Sequence, residues 1–402
     1  MNCFVFVVCG SAEHISTLNL SLKFLRRYSA YSVLVVTDSS RNEIAIEHDN
    51  IIDVETPKQY SHHEASIFLK TGLHKFVPDI ETNKYCYLDS DIVAVSEDCN
   101  QIFEYNPDPV LFVKDHCKFS YFSPDAMNCN CKKVQLTENE KFYEKFNSVF
   151  PKPINFDSQQ KIEEKENLDN LFKELKSYKL KNILPSLNYL ISRYFLRTNR
   201  IRIGHYEFIS SEKCWYNDTG EIVDFDFPYY EKKLKRDLGI YYKANNWYDT
   251  EGNILTPKMP FCSHLSEHIS KNYCILIPDN WQHWNGGVFI FNHKSIEFLE
   301  YWHKITLEEF NDDKTKTRDQ GTLAVAAWKF GLQDMKTMPL KFNFITEYAN
   351  PEIKWDSTKG YTYNNYRNTF EPVFLHIYHH WGDEDWSIWQ SVIDLGKKEG
   401  II

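Results

Sequence analysis

The sequence predicts an α/β fold, with a mixed, mostly parallel sheet flanked by helices and a large, partly helical insertion. An apolar run over 3–9 ends at Gly10 and predicts a buried strand. Apolar residues then recur at helical spacing over 14–28, and a second apolar run follows over 31–37. Such strand–helix–strand alternation is typical of a parallel sheet, because parallel neighbours are joined by a crossover that is usually a helix.

The rest of the chain divides into a core and an inserted segment. Further strands are predicted at 51–54, 85–88, 110–113, 287–291 and 373–377, and further helices at 63–76, 294–304 and 319–330. From about 116 to 279 the pattern changes to a stretch rich in Lys, Glu, Asn and Tyr, with few clean strands. Helices are predicted there at 159–182 and 186–198. We therefore predict a core of residues 1–115 and 280–390 and an insertion of residues 116–279.

The net charge and the lengths of the apolar runs exclude some classes of protein. A net charge of -10 over 402 residues disfavours nucleic-acid binding, which requires a basic surface to neutralise phosphates. The N-terminus lacks the pattern of a signal peptide, and no apolar run approaches the roughly 20 residues of a transmembrane helix. We therefore expect a cytoplasmic protein with ten reduced cysteines.

Two carboxylates follow the strand predicted at 85–88, in the triplet Asp89-Ser90-Asp91. Open α/β sheets bind ligands at the carboxyl ends of their strands, which is where this triplet lies. Two carboxylates there repel each other unless a cation joins them, and hard oxygen ligands favour Mg²⁺ or Mn²⁺. Such a metal can bridge the oxygens of a diphosphate. The alternative is a solvated turn, because Asp and Ser are ordinary turn residues and the tripeptide alone is common.

Two further motifs carry polar side chains next to predicted elements. Asn285-Gly286-Gly287 enters a strand, where glycine allows a ligand close to the backbone and Asn285 can hydrogen-bond sugar hydroxyls; the alternative is a turn before a core strand. Asp319-Gln320 opens a helix, where the pair could contact a transferred sugar or Asp319 could simply cap the helix.

Three histidines lie within five residues at the end of the last predicted strand. They are His376, His379 and His380. A single histidine is usually a core or surface residue, but three together, late in a chain with two paired carboxylates, indicate a metal or phosphate ligand.

Taken in order, these motifs resemble those of the GT-A fold (Rossmann-like) nucleotide-sugar transferases, especially glycosyltransferase family 8, the glycogenin and galactosyltransferase-like group. The resemblance covers roughly 1–115 and 280–385 and includes the segment Met338–Asn343. It implies a nucleotide-sugar-binding catalytic core that transfers a hexose from a UDP-sugar, with retention of anomeric configuration. It also implies Mn²⁺ (or Mg²⁺) held by Asp89, Asp91 and His376.

The resemblance further implies which residues contact the donor. Asn285, Asp319 and Gln320 would line the pocket of the donor sugar. Val8, Gly10, Ser11 and Ala12 would meet the base and ribose, and the other donor contacts would be Lys70, Ser90, Gly286, Gly287, His379 and His380.

The chain departs from the family in two places. The family follows its late histidine with Gly and then Lys-Pro-Trp, whose lysine binds the diphosphate, whereas here His379-His380-Trp381-Gly382 and three acidic residues follow. Either His379 or His380 supplies that contact or the donor binds weakly or differently, and which histidine ligates the metal stays open. The insertion is also far longer than the family core needs, so we expect it to be the subdomain that recognises a glycan, protein or lipid-linked acceptor.

Two other classes of function compete with a transferase. The missing lysine favours a catalytically weak or inactive scaffold that binds a glycan or nucleotide. A sugar-nucleotide hydrolase or a nucleotidyltransferase ranks lower, because the pyrophosphorylase type needs an arginine in a glycine-rich loop near the N-terminus, and the stretch after Val8 has no arginine.

Two hypotheses concern the predicted insertion. Residues 173–202 carry eight basic side chains against one acid, which fits either a solvated helical hairpin packed on the core, the favoured reading, or a peripheral contact with the inner face of a membrane. Cys129-Asn130-Cys131 lies near His116 and Cys117, but a C-x-C spacing without a matching second pair is a poor zinc signature. Free thiols are therefore expected there.

Overall fold

The structure is a computed structural model. It describes residues 1–152, 173, 176, 199–243, 246–252, 261–312, 314–315, 318–346, 354–356, 360–363, 368–377 and 379–402. The helices predicted at 159–182 and 186–198 lie outside the described residues, apart from helical positions 173 and 176, and so does most of the basic surface over 173–202. The chain forms two compact units, Met1–Lys132 with Pro260–Ile402 and Lys133–Met259.

The regular elements follow one another along the chain in two halves. The first half contains β1 (Asn2–Val7), α1 (Ala12–Tyr28), β2 (Ser32–Thr37), β3 (Ile51–Asp53), α2 (His62–Thr71), α3 (Leu73–Phe76), β4 (Lys84–Leu88), β5 (Ile92–Ala94), β6 (Leu111–Lys118), α4 (Phe119–Ala126), α5 (Cys131–Asn147), β7 (Arg200–Ile203) and β8 (Tyr206–Ile209). The second half contains β9 (Cys214–Tyr216), β10 (Ile222–Phe225), α6 (Phe227–Leu238), β11 (Tyr241–Lys243), β12 (Asn246–Tyr248), α7 (His264–Tyr273), β13 (Gln282–Phe291), α8 (Ile296–Glu309), α9 (Arg318–Lys329), β14 (Phe344–Ile345), β15 (Lys354–Asp356), β16 (Gly360–Tyr363), β17 (Asn368–Phe370), β18 (Phe374–His376) and α10 (Ser387–Glu399).

A six-stranded sheet in the order β3-β2-β1-β4-β13-β6 forms the centre of the first unit. The first four strands are parallel, and β13 is antiparallel to both β4 and β6. Its helices cover both faces, which confirms the predicted α/β class with a mixed, mostly parallel sheet.

The core explains why the strands appear in the sequence as unbroken apolar runs. Side chains alternate between the two faces of a strand. In β1, Val5 and Val7 pack in the cluster that contains Leu69 of α2, whereas Phe4 and Phe6 pack in the cluster on the opposite face with α1. Because both faces are buried from Cys3 onward, positions 3–7 of the strand are all apolar.

Two smaller sheets lie in the same unit. β14, β18 and β5 form a three-stranded sheet, and β15, β16 and β17 form another. β18 is antiparallel to β5, with His376 opposite Ile92. This pairing places the end of β18 beside the segment that links β4 to β5.

The second unit contains most of α5, an antiparallel sheet in the order β10-β9-β8-β7, the hairpin β11–β12 and α6. Few strands were predicted in this stretch, and the difference has a local cause. Each of these strands is only three or four residues long, and polar side chains interrupt the apolar pattern. The turn residues Asn217–Gly220 connect β9 to β10, with Asn217 N–H donating to Glu221 O at 3.0 Å.

Two boundaries in the first unit differ from the predictions. The helix predicted at 63–76 is two helices, α2 and α3, which meet at Gly72. The first unit also includes 116–132 and 260–279, with α4 and α7, although these residues were predicted to belong to the insertion. The predicted assignment of residues 116–279 to acceptor recognition stays a prediction.

Candidate active site

A cavity of about 630 Å³ opens in the first unit at the carboxyl ends of β1 and β4. Its volume is in the range of sites for small molecules and cofactors. Ten of the predicted site residues line it: Val8, Ser11, Lys70, Asp89, Ser90, Asp91, Asn285, Asp319, Gln320 and His376. The cavity therefore lies where open α/β sheets bind their ligands.

Asp89, Asp91 and His376 meet at this cavity. Each offers one ligand atom, and these atoms all lie within 4.8 Å of one another. Backbone hydrogen bonds hold the three residues together: Asp89 N–H donates to Gly287 O at 2.9 Å, and Ile377 N–H donates to Asp91 O at 3.0 Å. Two carboxylates and one imidazole are a donor set that fits Mn²⁺ or Mg²⁺.

A chain of hydrogen bonds fixes which nitrogen of His376 faces the carboxylates. Gly287 N–H donates to Asn285 Oδ1 at 2.8 Å, so Asn285 Oδ1 is an acceptor. Asn343 Nδ2 donates to the same oxygen at 2.8 Å, and Asn343 Oδ1 therefore faces His376 Nδ1 at 2.9 Å. An amide oxygen only accepts, so His376 Nδ1 carries the proton. Its Nε2, 3.4 Å from Asp91 Oδ1, keeps the lone pair that a metal needs.

We expect Asn343→Ala to weaken metal binding by about 10–100-fold, because partners of this kind orient a metal-ligating imidazole and fix its tautomer. The measurement is the concentration of Mn²⁺ that half-saturates binding. Asn311→Ala, an exposed asparagine on the surface of the same unit, is the matched control and should bind metal as the wild type does. Equal Mn²⁺ affinity in Asn343→Ala and the wild type would show that Asn343 does not orient His376 for metal binding.

Lys70 lies between two carboxylates at the base of the cavity. Its Nζ is 3.0 Å from Asp319 Oδ2 and 3.2 Å from Asp89 Oδ1. Burial acts to lower the pKa of Lys70, but the two carboxylates outweigh it and raise the pKa above its ordinary value. Burial likewise acts to raise the pKa of Asp319, yet Lys70 holds it below the usual range. Lys70 and Asp319 are therefore both ionised near neutral pH.

Asp89 also accepts a hydrogen bond from the Tyr87 hydroxyl. Burial and the neighbouring Asp89 carboxylate raise the pKa of Tyr87 well above its ordinary value, so the hydroxyl remains a donor. The Oδ1 of Asp89 is thus occupied by Tyr87 and Lys70. This arrangement fixes the side chain in one orientation and leaves its second oxygen to face Gly287.

Gly287 has no space for a side chain. A Cβ built there would lie 2.6 Å from the His376 ring, 2.8 Å from Asn285 Oδ1 and 3.0 Å from Asp89 Oδ2. At Gly286 the nearest atom would be Gln320 Oε1 at 3.3 Å, which is the end of a flexible side chain. The two glycines therefore have unequal roles, although the same role was predicted for both.

We expect Gly287→Ala to remove most metal binding, because the methyl group would displace His376 and Asp89, whereas Gly286→Ala should reduce it by less than about threefold. Overpacking a filled site costs typically about 1–3 kcal/mol, which is about 5–150-fold in a binding constant. The measurement is Mn²⁺ affinity, with the thermal unfolding of both variants recorded beside it. Loss of Mn²⁺ binding in Gly286→Ala but not in Gly287→Ala would show that Gly286, and not Gly287, is the glycine that the metal site requires.

Six predicted site residues do not line the cavity. Two are Gly286 and Gly287, which lie against the lining residues Gln320 and His376. Gly10 and Ala12 donate their N–H groups to Asn42 Oδ1 at 3.2 Å and Glu43 Oε2 at 2.9 Å. Gly10 also has φ +106° and lies against the His62 ring, so a side chain would not fit. His379 and His380 complete the six, and His380 Nδ1 lies 3.0 Å from Asp383 Oδ2.

Several lining residues were not predicted from the sequence. They are Val7, Cys9, His14, His62, His63, Ser66, Ile67, Tyr87, Asp115, His116, Cys117, Tyr121, Phe122, Asp125 and Ile345. Asp115 is buried, accepts from Asn285 Nδ2 at 3.0 Å and lies 2.6 Å from His116 Nδ1. Burial acts to raise the pKa of Asp115, but these two neighbours hold it well below its usual range. The signal that was available is a pair of histidines, His62-His63, at the start of a helix rich in apolar residues.

Several solved glycosyltransferases are similar to this chain. One is the galactosyltransferase LgtC in complex with donor and acceptor sugar analogues, at a TM-score of 0.40 and 12% identity, over 100% of this chain and 95% of that one. Another is WbbM, a bifunctional glycosyltransferase, at a TM-score of 0.40 and 11% identity, over 98% of this chain. This chain spans 49% of WbbM. A third is mouse xyloside xylosyltransferase 1, at a TM-score of 0.38 and 9% identity, over 94% of this chain and 97% of that one.

No protein-family model and no curated protein sequence matches the chain. Across the described residues, no helix has the length and apolar character required to cross a membrane.

Proposed function

We propose that this protein is a metal-dependent glycosyltransferase that moves a hexose from a UDP-sugar to an acceptor, with retention of anomeric configuration. One observation carries the proposal: Asp89, Asp91 and His376, which are far apart in the sequence, present their ligand atoms together at the wall of a cavity large enough for a nucleotide sugar. These three residues would hold Mn²⁺ or Mg²⁺. When bound, such an ion supplies positive charge to the leaving diphosphate.

The other lining residues divide between the two ends of the donor. Val7 ends the first strand, and Val8 and Cys9 follow it with mostly apolar side chains beside Ser11, which suits the base and ribose. Asn285, Asp319 and Gln320 lie on the side of the ion-paired Lys70, which suits the hydroxyl groups of the transferred sugar. Their polar atoms would orient the sugar so that its anomeric carbon faces the acceptor.

Lys70 is the one lysine or arginine among the described residues that line this cavity. Because it is paired with Asp89 and Asp319, the charge of a diphosphate would be met chiefly by the metal and by histidines. His379 and His380, proposed from the sequence for this role, lie outside the lining residues, whereas His14, His62, His63 and His116 lie among them. We propose that these four take over the phosphate contact.

A screen of nucleotide sugars tests the donor. Thermal unfolding is recorded with UDP-glucose, UDP-galactose, UDP-N-acetylglucosamine and GDP-mannose, each with and without Mn²⁺. Binding to the folded state raises its stability by mass action, so a UDP-sugar should raise the unfolding temperature and should do so only with metal. A shift with GDP-mannose alone, or equal shifts without metal, would contradict a metal-bound UDP-sugar.

The second candidate is a scaffold that binds a nucleotide sugar without turning it over. The observation that favours it is that Lys70, the one cationic lysine or arginine side chain among the described lining residues, is already paired with Asp89 and Asp319. The two functions separate in one experiment, in which calorimetry and release of UDP are measured on the same sample. Binding without release over a range of acceptors favours the scaffold, and release favours the transferase.

A further inference from the structure

Four metal-ligating side chains meet outside the active-site cavity. They are Cys129, Cys131, Cys262 and His264, and one ligand atom from each lies within 4.8 Å of all the others. We propose that they form a structural zinc site. Three thiolates and one imidazole are one of the closed ligand sets that proteins use for structural Zn²⁺.

The distances fit a tetrahedral ion. Bonds of about 2.3 Å to zinc place two sulfur ligands about 3.8 Å apart across a tetrahedron. The Sγ atoms of Cys129 and Cys262 are 3.6 Å apart, and Cys131 Sγ is 3.8 Å from His264 Nδ1. A disulfide would require its sulfur atoms to be about 2.05 Å apart. All ten cysteines of the chain are free thiols in the structure.

The chemistry of this group differs from that of the cavity. Asp89 and Asp91 are hard oxygen donors that suit Mg²⁺ or Mn²⁺, whereas thiolates select softer ions such as Zn²⁺. Four protein ligands also leave no open position for water or substrate, so the site would stabilise the fold and take no part in transfer.

The backbone holds the two halves of the group together. Cys129 N–H donates to Pro124 O at 3.1 Å, and Cys262 N–H donates to Ser120 O at 3.2 Å. The Ser123 hydroxyl accepts from Leu265 N–H at 3.0 Å and lies 3.2 Å from Cys262 Sγ. Partners of this kind orient metal ligands and tune their basicity.

A metal here would join two segments that are distant in sequence. Cys129 and Cys131 lie where the chain leaves the first unit, and Cys262 and His264 lie where it returns after residues 133–259. The ion would thus fasten the end of α4 to the start of α7. Tyr121, Phe122 and Asp125 of α4 line the cavity, so the site would also keep that wall in place. The site could not be predicted from the sequence, because the second pair of ligands, Cys262 and His264, comes more than a hundred residues after Cys129-Asn130-Cys131.

The metal content of the full-length protein tests this inference. The chain is purified in a reducing buffer without chelator, and zinc is measured by inductively coupled plasma mass spectrometry. We expect about one zinc per chain. Cys131→Ser and His264→Ala should lose most of it, whereas His264→Cys, which offers four thiolates, should retain it. Two controls should also retain it: Cys274→Ser, at an exposed cysteine outside the group, and the double variant Asp89→Ala/Asp91→Ala.

A spectroscopic measurement on the wild-type protein tests the site even if a variant fails to fold. Co²⁺ added to metal-depleted wild-type protein should give the intense visible bands of tetrahedral thiolate ligation, and added Zn²⁺ should abolish them. Three results would overturn the site: wild-type protein with neither zinc nor these bands, unchanged zinc in both Cys131→Ser and His264→Ala, or a Cys129–Cys262 disulfide in the protein as purified.

Discussion

Replacing Asp91 by asparagine should lower metal-dependent release of UDP by roughly 10²–10³-fold. The asparagine would keep the size of the side chain but remove a negative charge from the group Asp89, Asp91 and His376. The metal would then bind weakly or in a shifted position, and the charge of the leaving diphosphate would be poorly neutralised. Asp89→Asn should have a similar effect and should in addition disturb Lys70 and Tyr87.

The measurement is the initial rate of UDP release from the donor that the thermal screen identifies, over a range of Mn²⁺ concentrations. Asp334→Asn is the matched control, because this aspartate is exposed on the surface of the same unit and should leave the rate unchanged. Full activity of both Asp89→Asn and Asp91→Asn in excess EDTA would show that UDP release does not require a metal, and would contradict the proposed metal dependence.

The core of the fold could be predicted because its strands are buried on both faces. β1, β2 and β4 are continuous apolar runs, and α1 shows its helical spacing plainly. The second unit has no such signal. Its strands are short, and the contacts that hold them come from neighbours such as Trp215 opposite Phe208, which only the paired structure brings together.

The candidate site was predictable in part for a similar reason. Asp89 and Asp91 directly follow a buried strand, so their location at the sheet edge could be derived from local pattern. The place of His376 depended on the resemblance, because nothing local distinguishes it from His379 and His380. The structure separates the three through β18, which pairs with β5 and brings only His376 of these histidines into the cavity lining.

Contacts between distant segments account for what could not be predicted. Asn343 was part of a motif without a stated role, yet it sets the tautomer of His376. Asp115 lies on a strand that was predicted to end before it, because the consecutive polar residues Lys114, Asp115 and His116 interrupt the apolar run when the partner Asn285 is unknown. The proposed zinc ligands were missed for the same reason, because Cys129 and Cys131 meet Cys262 and His264 only in the folded chain.

Lys70→Met should be the most destabilising change at the cavity. Removing the ammonium would leave the buried carboxylate of Asp319 and the partly exposed carboxylate of Asp89 without their common partner. Breaking a buried ion pair in this way costs about 3–5 kcal/mol, and because Asp89 is partly exposed we expect the lower end, about 3 kcal/mol. The measurement is the free energy of unfolding from denaturant titration. Lys341→Met is the control, since that lysine lies 4.0 Å from the exposed Asp98 and its loss should cost less than about 1 kcal/mol.

The pH dependence follows from the directions of the pKa shifts. The pKa of Asp319 is lowered in the folded state, so its contribution to stability is present above the unfolded value of about 3.9 and is lost as the pH falls through the folded pKa. The pKa of Lys70 is raised, so its contribution is complete below about 10.4 and is lost only as the pH rises through the folded pKa. The pair therefore stabilises the wild type fully between about pH 4 and pH 10. As the pH falls below about 4, the difference in unfolding free energy between wild type and Lys70→Met should narrow, because the Asp319 carboxylate becomes protonated.

The double variant Lys70→Met/Asp319→Asn separates stability from catalysis. Asparagine removes the unpaired charge, so most of the lost free energy of unfolding should return, while UDP release should stay low because the proposed sugar contact of Asp319 is gone. A purely structural ion pair would instead regain activity together with stability. If Lys70→Met alone unfolds with the wild-type free energy, then the ammonium does not hold the two carboxylates, and Asp89 would have to owe its orientation to Tyr87 alone.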